Sequence, residues 1–408
     1  MLALCSAPAS AETLHDAVLA ALSGNPSLAA VEARQDALAE GTEQARAQGR
    51  LSASADASGG YSRFDYAKGG AGAVTASLPV WTGGRVPYAV EAAKGDADAG
   101  EQGVRDARAA LILQVVSAYA DILFNQQAVA ITRADIELLE QQVAEARARY
   151  KLGKNTMADV SQLEAQLASA QATLAGAEMT LATSEADYRA IVGHAPGLLA
   201  PPSRLAGLPP TMEEARELAL AGNPQYLQSL RAADAASARI GEARAAGAPS
   251  IALGGSYGYG LNVADNSGFV HDANVGVTLR IPLLTGGLVA SQERAASARY
   301  RAARFDADAA VREVTRAADS AWASLSGARA RVAANRSRVD AADLALRAVR
   351  AEYGFDLRTT LDVLLADESL RSAQLALALS QSDELVAQAA LLRAAGELDV
   401  QAFSGNDG

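Results

Sequence analysis

The chain of 408 residues contains one cysteine, Cys5, which excludes an intrachain disulfide framework and a cysteine-ligated metal centre. Its histidines, His15, His194 and His271, stand far apart with no metal-ligand spacing. No nucleophile motif or complete phosphate-binding glycine pattern accompanies them, so neither an enzyme, a metal nor a cofactor is expected. A net charge of −11 leaves no basic footprint and argues against nucleic acid. Aromatic residues make up only 5%, and the helical stretches are dense in alanine, which suits long thin helical layers better than a large globular interior. A run of about 18 apolar residues is also missing. The best stretch, Leu111 to Phe124, is interrupted by Gln114, Ser117 and Asp121. Any entry into a membrane therefore has to be made by strands.

What the chain does contain is written twice. Leu78-Pro79-Val80-Trp81-Thr82-Gly83-Gly84 returns 203 residues later as Ile281-Pro282-Leu283-Leu284-Thr285-Gly286-Gly287. The same shift carries Tyr119 onto Trp322, Tyr150 onto Tyr353 and Asp159-Val160 onto Asp362-Val363. Upstream the shift is 198, matching Asn25-Pro26 to Asn223-Pro224 and Arg46 to Arg244, so about five residues are inserted between Arg244 and Ile281. Units this long exceed solenoid repeats of about 20–50 residues. They describe a duplicated half-protein in one pseudo-symmetric architecture.

Each half has the same order of elements. Residues 12–50 and 211–247 read as helices, with Asn25-Pro26 and Asn223-Pro224 as cap-and-first-turn start signals. In 51–84 and 248–287 the period switches to two, giving two hairpins with runs of roughly 9–12 residues, the length a tilted strand needs to cross a bilayer. Lys68-Gly69-Gly70 and Asp265-Asn266-Ser267-Gly268 are the expected hairpin tips, and the Thr-Gly-Gly triplets are read as tight strand-to-helix turns. Ser52, Ser54, Asp56 and Thr278 are expected on one face, Leu253, Tyr257, Val277 and Leu279 on the other. Open sheet edges are forbidden in lipid, and single-chain barrels begin at about eight strands. Four strands therefore make a membrane-inserted form an oligomer, each copy supplying a sector of one barrel.

Regions 85–194 and 288–396 read as a long helix followed by a shorter antiparallel partner. At ~1.5 Å per residue the long helix runs on the order of 100 Å. Val115, Ile122, Val129, Ile136, Val143 and Tyr150 recur at seven-residue steps, matched by Ala318, Leu325, Val332, Val339, Leu346 and Tyr353. The partners show Val160, Leu167, Leu174, Leu181 and Tyr188, then Val363, Leu370, Leu377 and Leu391, with a break at Glu384. Such heptads specify a left-handed coiled coil. Proline-rich 195–210 links the halves, and 397–408 is a C-terminal tail. Residues 1–11, ending in Ala9-Ser10-Ala11, read as a truncated signal-peptide remnant; Leu4 before Cys5 speaks against lipidation.

Taken together, the duplicated order, the P-[VL]-[WL]-T-G-G-[RL] motif, the Asn-Pro starts and the segment Tyr353 to Leu364 resemble the TolC family of outer-membrane efflux and secretion channels over roughly residues 12–396. The resemblance implies an α+β membrane protein, internally duplicated. A trimeric channel would share a 12-stranded outer-membrane β-barrel, four strands per chain, continuing into a long periplasmic α-helical barrel. It implies a passive exit duct for small molecules or unfolded protein, in contact with outer-membrane lipid, a periplasmic adaptor and an inner-membrane ABC or RND transporter. The alternative is a periplasmic coiled-coil structural or adaptor protein. The resemblance further implies a periplasmic gate. Tyr353 and Arg358 would link the inner hairpin to its neighbour, Asp159 would accept the Tyr353 hydroxyl, and three copies of Asp362 would form a cation-selecting ring. Ala158 and Leu365 depart from the family pattern, which leaves Asp367 as the possible substitute for a second acidic ring.

Overall fold

The computed structural model describes residues 11–61, 68–262, 269–355 and 357–403. The expected leader remnant up to Ser10, the Asp265-Asn266-Ser267-Gly268 tip, Asp356 and the end of the C-terminal tail lie outside the described residues. The two halves match element for element. Helices α1 (Leu14–Gly24) and α5 (Met212–Gly222) are both 11 residues long, α2 (Pro26–Ala47) and α6 (Pro224–Ala245) both 22, α3 (Arg85–Lys151) and α7 (Leu288–Gly354) both 67, and α4 (Met157–Val192) and α8 (Thr360–Ala395) both 36.

Their ends follow from the sequence. Threonine caps α1, α4, α5 and α8, each accepting from the amide three residues on. Asn25 and Asn223 have a second use, since their amides donate to Ile191 and Ala394 carbonyls, the orphaned acceptors at the ends of α4 and α8. Gly193 and Gly396 end those helices in the left-handed conformation.

Two compact units cut across the repeats. One comprises Met1–Ala29, Arg105–Asn223 and Glu313–Gly408, the other Ala30–Val104 and Pro224–Arg312. This division departs from a strictly sequential one because α3 and α7 each run through both units. In the first, α3 pairs antiparallel with α4 through Arg133–Glu178 and Arg147–Glu164, and α7 with α8 through Arg338–Ser372 and Asn335–Ala376. Most of the predicted heptad row is enclosed: Val115, Ile122, Val129 and Val143 on α3, Val160 and Tyr188 on α4. The long helix α3 does carry one window apolar enough by composition to cross a membrane, and half of it is buried within the fold. Its Leu111, Ile112, Val115, Val116, Tyr119 and Ile122 belong to the largest core cluster, which explains their apolarity. The linker and tail are strapped to this core: Ala200 donates to Glu12, Leu205 to Gln388 and Ala206 to the Ala402 carbonyl.

In the second unit, β1 (Ser52–Tyr61), β2 (Lys68–Trp81), β3 (Ser250–Asn262) and β4 (Phe269–Arg280) form one antiparallel sheet in the order β1-β2-β3-β4. Lys68-Gly69-Gly70 is not a tip; it pairs with Tyr61, Gly60 and Gly59, its backbone N–H and C=O groups entering the ladder as those of any residue can. The Thr-Gly-Gly turns hold, with Gly83 and Gly84 at φ 65° and 91° and Gly286 and Gly287 at 57° and 80°. A bulge at Pro79/Trp81 accommodates the proline that cannot donate to the ladder.

Candidate functional site at the strand faces and hairpin tips

The register sorts the sheet by polarity. Ser52, Ser54 and Asp56 stand opposite Ser77, Thr75 and Ala73, which continue into Gly254, Ser256 and Gly258 and then Gly276, Asn274 and Asp272. Between them project Val74, Leu78, Leu253, Tyr257, Tyr259, Val275, Val277 and Leu279 on the other face. Thr278 shares the polar face and Val277 the apolar one, as the alternation predicts. Much of this apolar face is uncovered in the single chain: Val275 is 83% exposed and Val277 70%. An apolar surface this continuous marks contact with a partner or with lipid.

At the other end of the long helices each hairpin turns within a few residues. Gly153, at φ 71°, closes the first turn, with its amide on the Tyr150 carbonyl. Thr156 and Thr359 then start α4 and α8 as capping boxes. The Asp159 Oδ2 accepts from the Thr156 amide (2.9 Å) and hydroxyl (2.7 Å), and Asp362 Oδ2 accepts from the Thr359 amide and hydroxyl, both at 2.8 Å. These backbone and hydroxyl hydrogen bonds from Thr156 and Thr359 hold both carboxyls below the usual carboxylate range, so both are ionised at neutral pH. The duplicated Asp159-Val160 and Asp362-Val363 thus mark a cap followed by the first buried seam residue. The threonine three residues before each aspartate was the signal for it.

The structure places the other candidates as follows. Tyr353 is half-buried; its hydroxyl lies 3.4 Å from the Thr360 hydroxyl, and the Arg149 guanidinium stacks over its ring at 4.8 Å. Its hydroxyl and the Asp159 carboxylate therefore have separate partners in the single chain. Arg358 donates through Nε to Glu352 at 2.6 Å, and that carboxylate raises the guanidinium pKa. Leu365 is exposed. Asp367 is buried on α8 against α3 and α7, hydrogen-bonded to Asp135 and 3.2 Å from Arg350, with Arg371 reaching Asp135 at 3.5 Å. Arg149, Thr360, Glu352 and Asp135 escaped sequence reasoning because each is one polar residue among many on a helix. Beside Tyr353, Arg149, Arg350, Thr360 and Val363 line a cavity of about 290 Å³.

Burial and the Asp135 hydrogen bond push Asp367 up to about 7, against an ordinary 3.8. A raised folded-state value means that the folded form holds its proton longer than the unfolded chain. The associated stability is fully present below pH 3.8 and is lost as pH rises to about 7. Thermal unfolding of the purified protein should therefore fall in midpoint between pH 5 and 8, and Asp367→Asn should flatten that fall. Equal slopes in the two proteins would remove Asp367 as its source.

The sequence matches the outer membrane efflux protein family over residues 18–194 and 215–397, and the chain belongs to that family. Among curated relatives it is 33% identical to the outer membrane efflux protein BepC of Brucella suis, covering 82% of this chain and 74% of that protein. It is 29% identical to outer membrane protein TolC of Vibrio cholerae, over 71% and 68% of the two chains. Among solved structures, CusC superposes with a TM-score of 0.82 at 19% identity, covering 94% of this chain and 92% of that one. VceC of Vibrio cholerae gives 0.77 at 25% identity, over 94% and 96%. The fold is that of a trimeric outer-membrane channel: four strands per chain contribute to a shared barrel, and the helices extend into the periplasm. The adaptor alternative is set aside.

Proposed function

We propose that this channel is the exit duct of a tripartite efflux pump or a type I secretion system, docking a periplasmic adaptor and fed by an inner-membrane ABC or RND transporter. The observation that carries the reading is the sheet, with one polar face, one apolar face and two open edges, joined directly to 67-residue helices. A water-filled barrel needs that division of faces, and a passive duct needs no catalytic site. The transporter supplies the energy. Relatives include both an efflux protein and the alkaline protease secretion protein AprF of Pseudomonas aeruginosa, 28% identical over 71% of this chain and 62% of that protein, so small molecules and unfolded protein are both fitting cargo. Asp159, Tyr353, Arg358 and Asp362 form the periplasmic gate in this reading.

Native mass spectrometry in detergent should show a threefold particle. A stable monomer that still inserts into bilayers would contradict the closed-barrel requirement. Purification of the tagged channel from crosslinked cells should bring down an adaptor together with an ABC or RND transporter, and recovery of neither would remove the pump assignment.

A further inference from the structure

Strands β1 and β4 are the open edges of the sheet, and their described residues 52–60 and 271–280 are exposed throughout. In lipid, such edges have to be paired. The duplication states how. The pair Ser52↔Ser77 of β1–β2 recurs as Ser250↔Arg280 of β3–β4, so β3 is β1 shifted by 198 and β2 becomes β4 at a shift of 203. The β2–β3 ladder joins the first repeat to the second, and a closed ring of copies repeats it between β4 and the next β1. Under these shifts the observed Ser77↔Gly254 becomes Arg280↔Asp56, and Thr75↔Ser256 becomes Thr278↔Ser58.

We propose that two copies of this chain join by pairing β4 with β1 in this register, which sets Arg280 of one directly opposite Asp56 of the partner subunit. This rests on the trimeric barrel already assigned. The charges carry the argument further than symmetry alone. Among the described residues Arg280 has no ionic partner, and the Asp56 carboxylate meets only the Ser54 hydroxyl at 3.3 Å. Both stand on the polar face, and opposite charges facing each other across an antiparallel pair stabilise that register. A shift of one residue would set the apolar face of one copy against the polar face of the next. The helices repeat the logic. Gly95 of α3 is buried so tightly on α6 that an added Cβ would come 2.9 Å from Ala235 Cβ, and the equivalent residues, Ala298 of α7 and Ala37 of α2, are both exposed in the single chain.

The test uses the full chain with Cys5→Ser, in outer membranes and as the detergent-solubilised oligomer. Oxidation of Asp56→Cys/Arg280→Cys should give covalent dimers and trimers on non-reducing gels. Ser54→Cys/Arg280→Cys, on the same face but two residues out of register, should give on the order of tenfold less, because its Cα atoms lie beyond disulfide reach. Asp56→Arg should deplete the heat-modifiable oligomer, and Asp56→Arg with Arg280→Asp should restore it. Crosslinking that favours the offset pair, or a charge swap that fails to rescue while native mass spectrometry still shows a trimer, overturns the register alone. A protein that is monomeric throughout overturns the register together with the barrel on which it rests.

Discussion

Replacing Val275 with arginine should remove most of the assembled outer-membrane oligomer, whereas the same replacement at Asn274 should leave it. The two residues are adjacent at the middle of β4 and differ in the face they occupy. Val275 pairs with Gly255, is 83% exposed and shares its face with Tyr257, Val277 and Leu279. Asn274 pairs with Ser256 on the polar face. An arginine on the lipid face near the bilayer midplane costs about 2–4 kcal/mol, and a trimer carries that cost three times. An arginine on the wet face keeps its hydration. The measurement is the amount of heat-modifiable oligomer on unboiled SDS gels from outer membranes. Loss for Asn274→Arg with Val275→Arg tolerated would mean that the polar face looks outward, and equal loss for both would mean that face does not decide assembly.

The same alternation shows where sequence reasoning succeeds. A period of two is a statement about faces, and faces survive any error in strand ends. Lys68-Gly69-Gly70 went wrong for the converse reason: glycines that mark a turn elsewhere extend β2 here by pairing with Gly60 and Gly59. The helices divide in the same way. The row Val115, Ile122, Val129, Val143 was visible because it is apolar, yet α3 buries a second row, Ala118, Asn125, Thr132, Leu139 and Ala146. Asn125 reaches Ser184 at 2.6 Å and Thr132 bonds back to the Ala128 carbonyl at 2.8 Å, so both are satisfied inside the seam, where hydrophobicity gives no hint of them. Tyr150 and Tyr353 occupy equivalent places in the repeat, yet Tyr150 is exposed and Tyr353 is half-buried beneath Arg149. Duplication gives the scaffold twice; the side chains that break its symmetry have to be located in space.

Tyr353, the half-buried member of that pair, is also the one placed in the proposed gate. In the double variant Tyr353→Phe/Arg358→Ser, single-channel conductance in planar bilayers should rise above that of either single variant. Tyr353→Phe keeps the ring under Arg149 and deletes only the hydroxyl that faces Thr360. Arg358→Ser deletes the guanidinium that the Glu352 carboxylate holds at 2.6 Å beside the second turn. Where several links each hold the same closed state, one can persist when the other is removed, so the double variant is the informative one. Asp362 needs a different substitution. Its carboxylate is both an ionised charge at neutral pH and the acceptor that starts α8, and alanine would remove the two functions together. Asp362→Asn retains a side-chain oxygen for the Thr359 amide and removes the charge. If three copies ring the constriction, this variant should lose preference for cations, read as a shift in reversal potential across a salt gradient, with the trimer and its helical content unchanged. Conductance that stays at the wild-type level in the double variant, with the trimer intact, would reduce Tyr353 and Arg358 to fasteners of one hairpin. An unmoved reversal potential in Asp362→Asn would leave Asp362 with its cap alone.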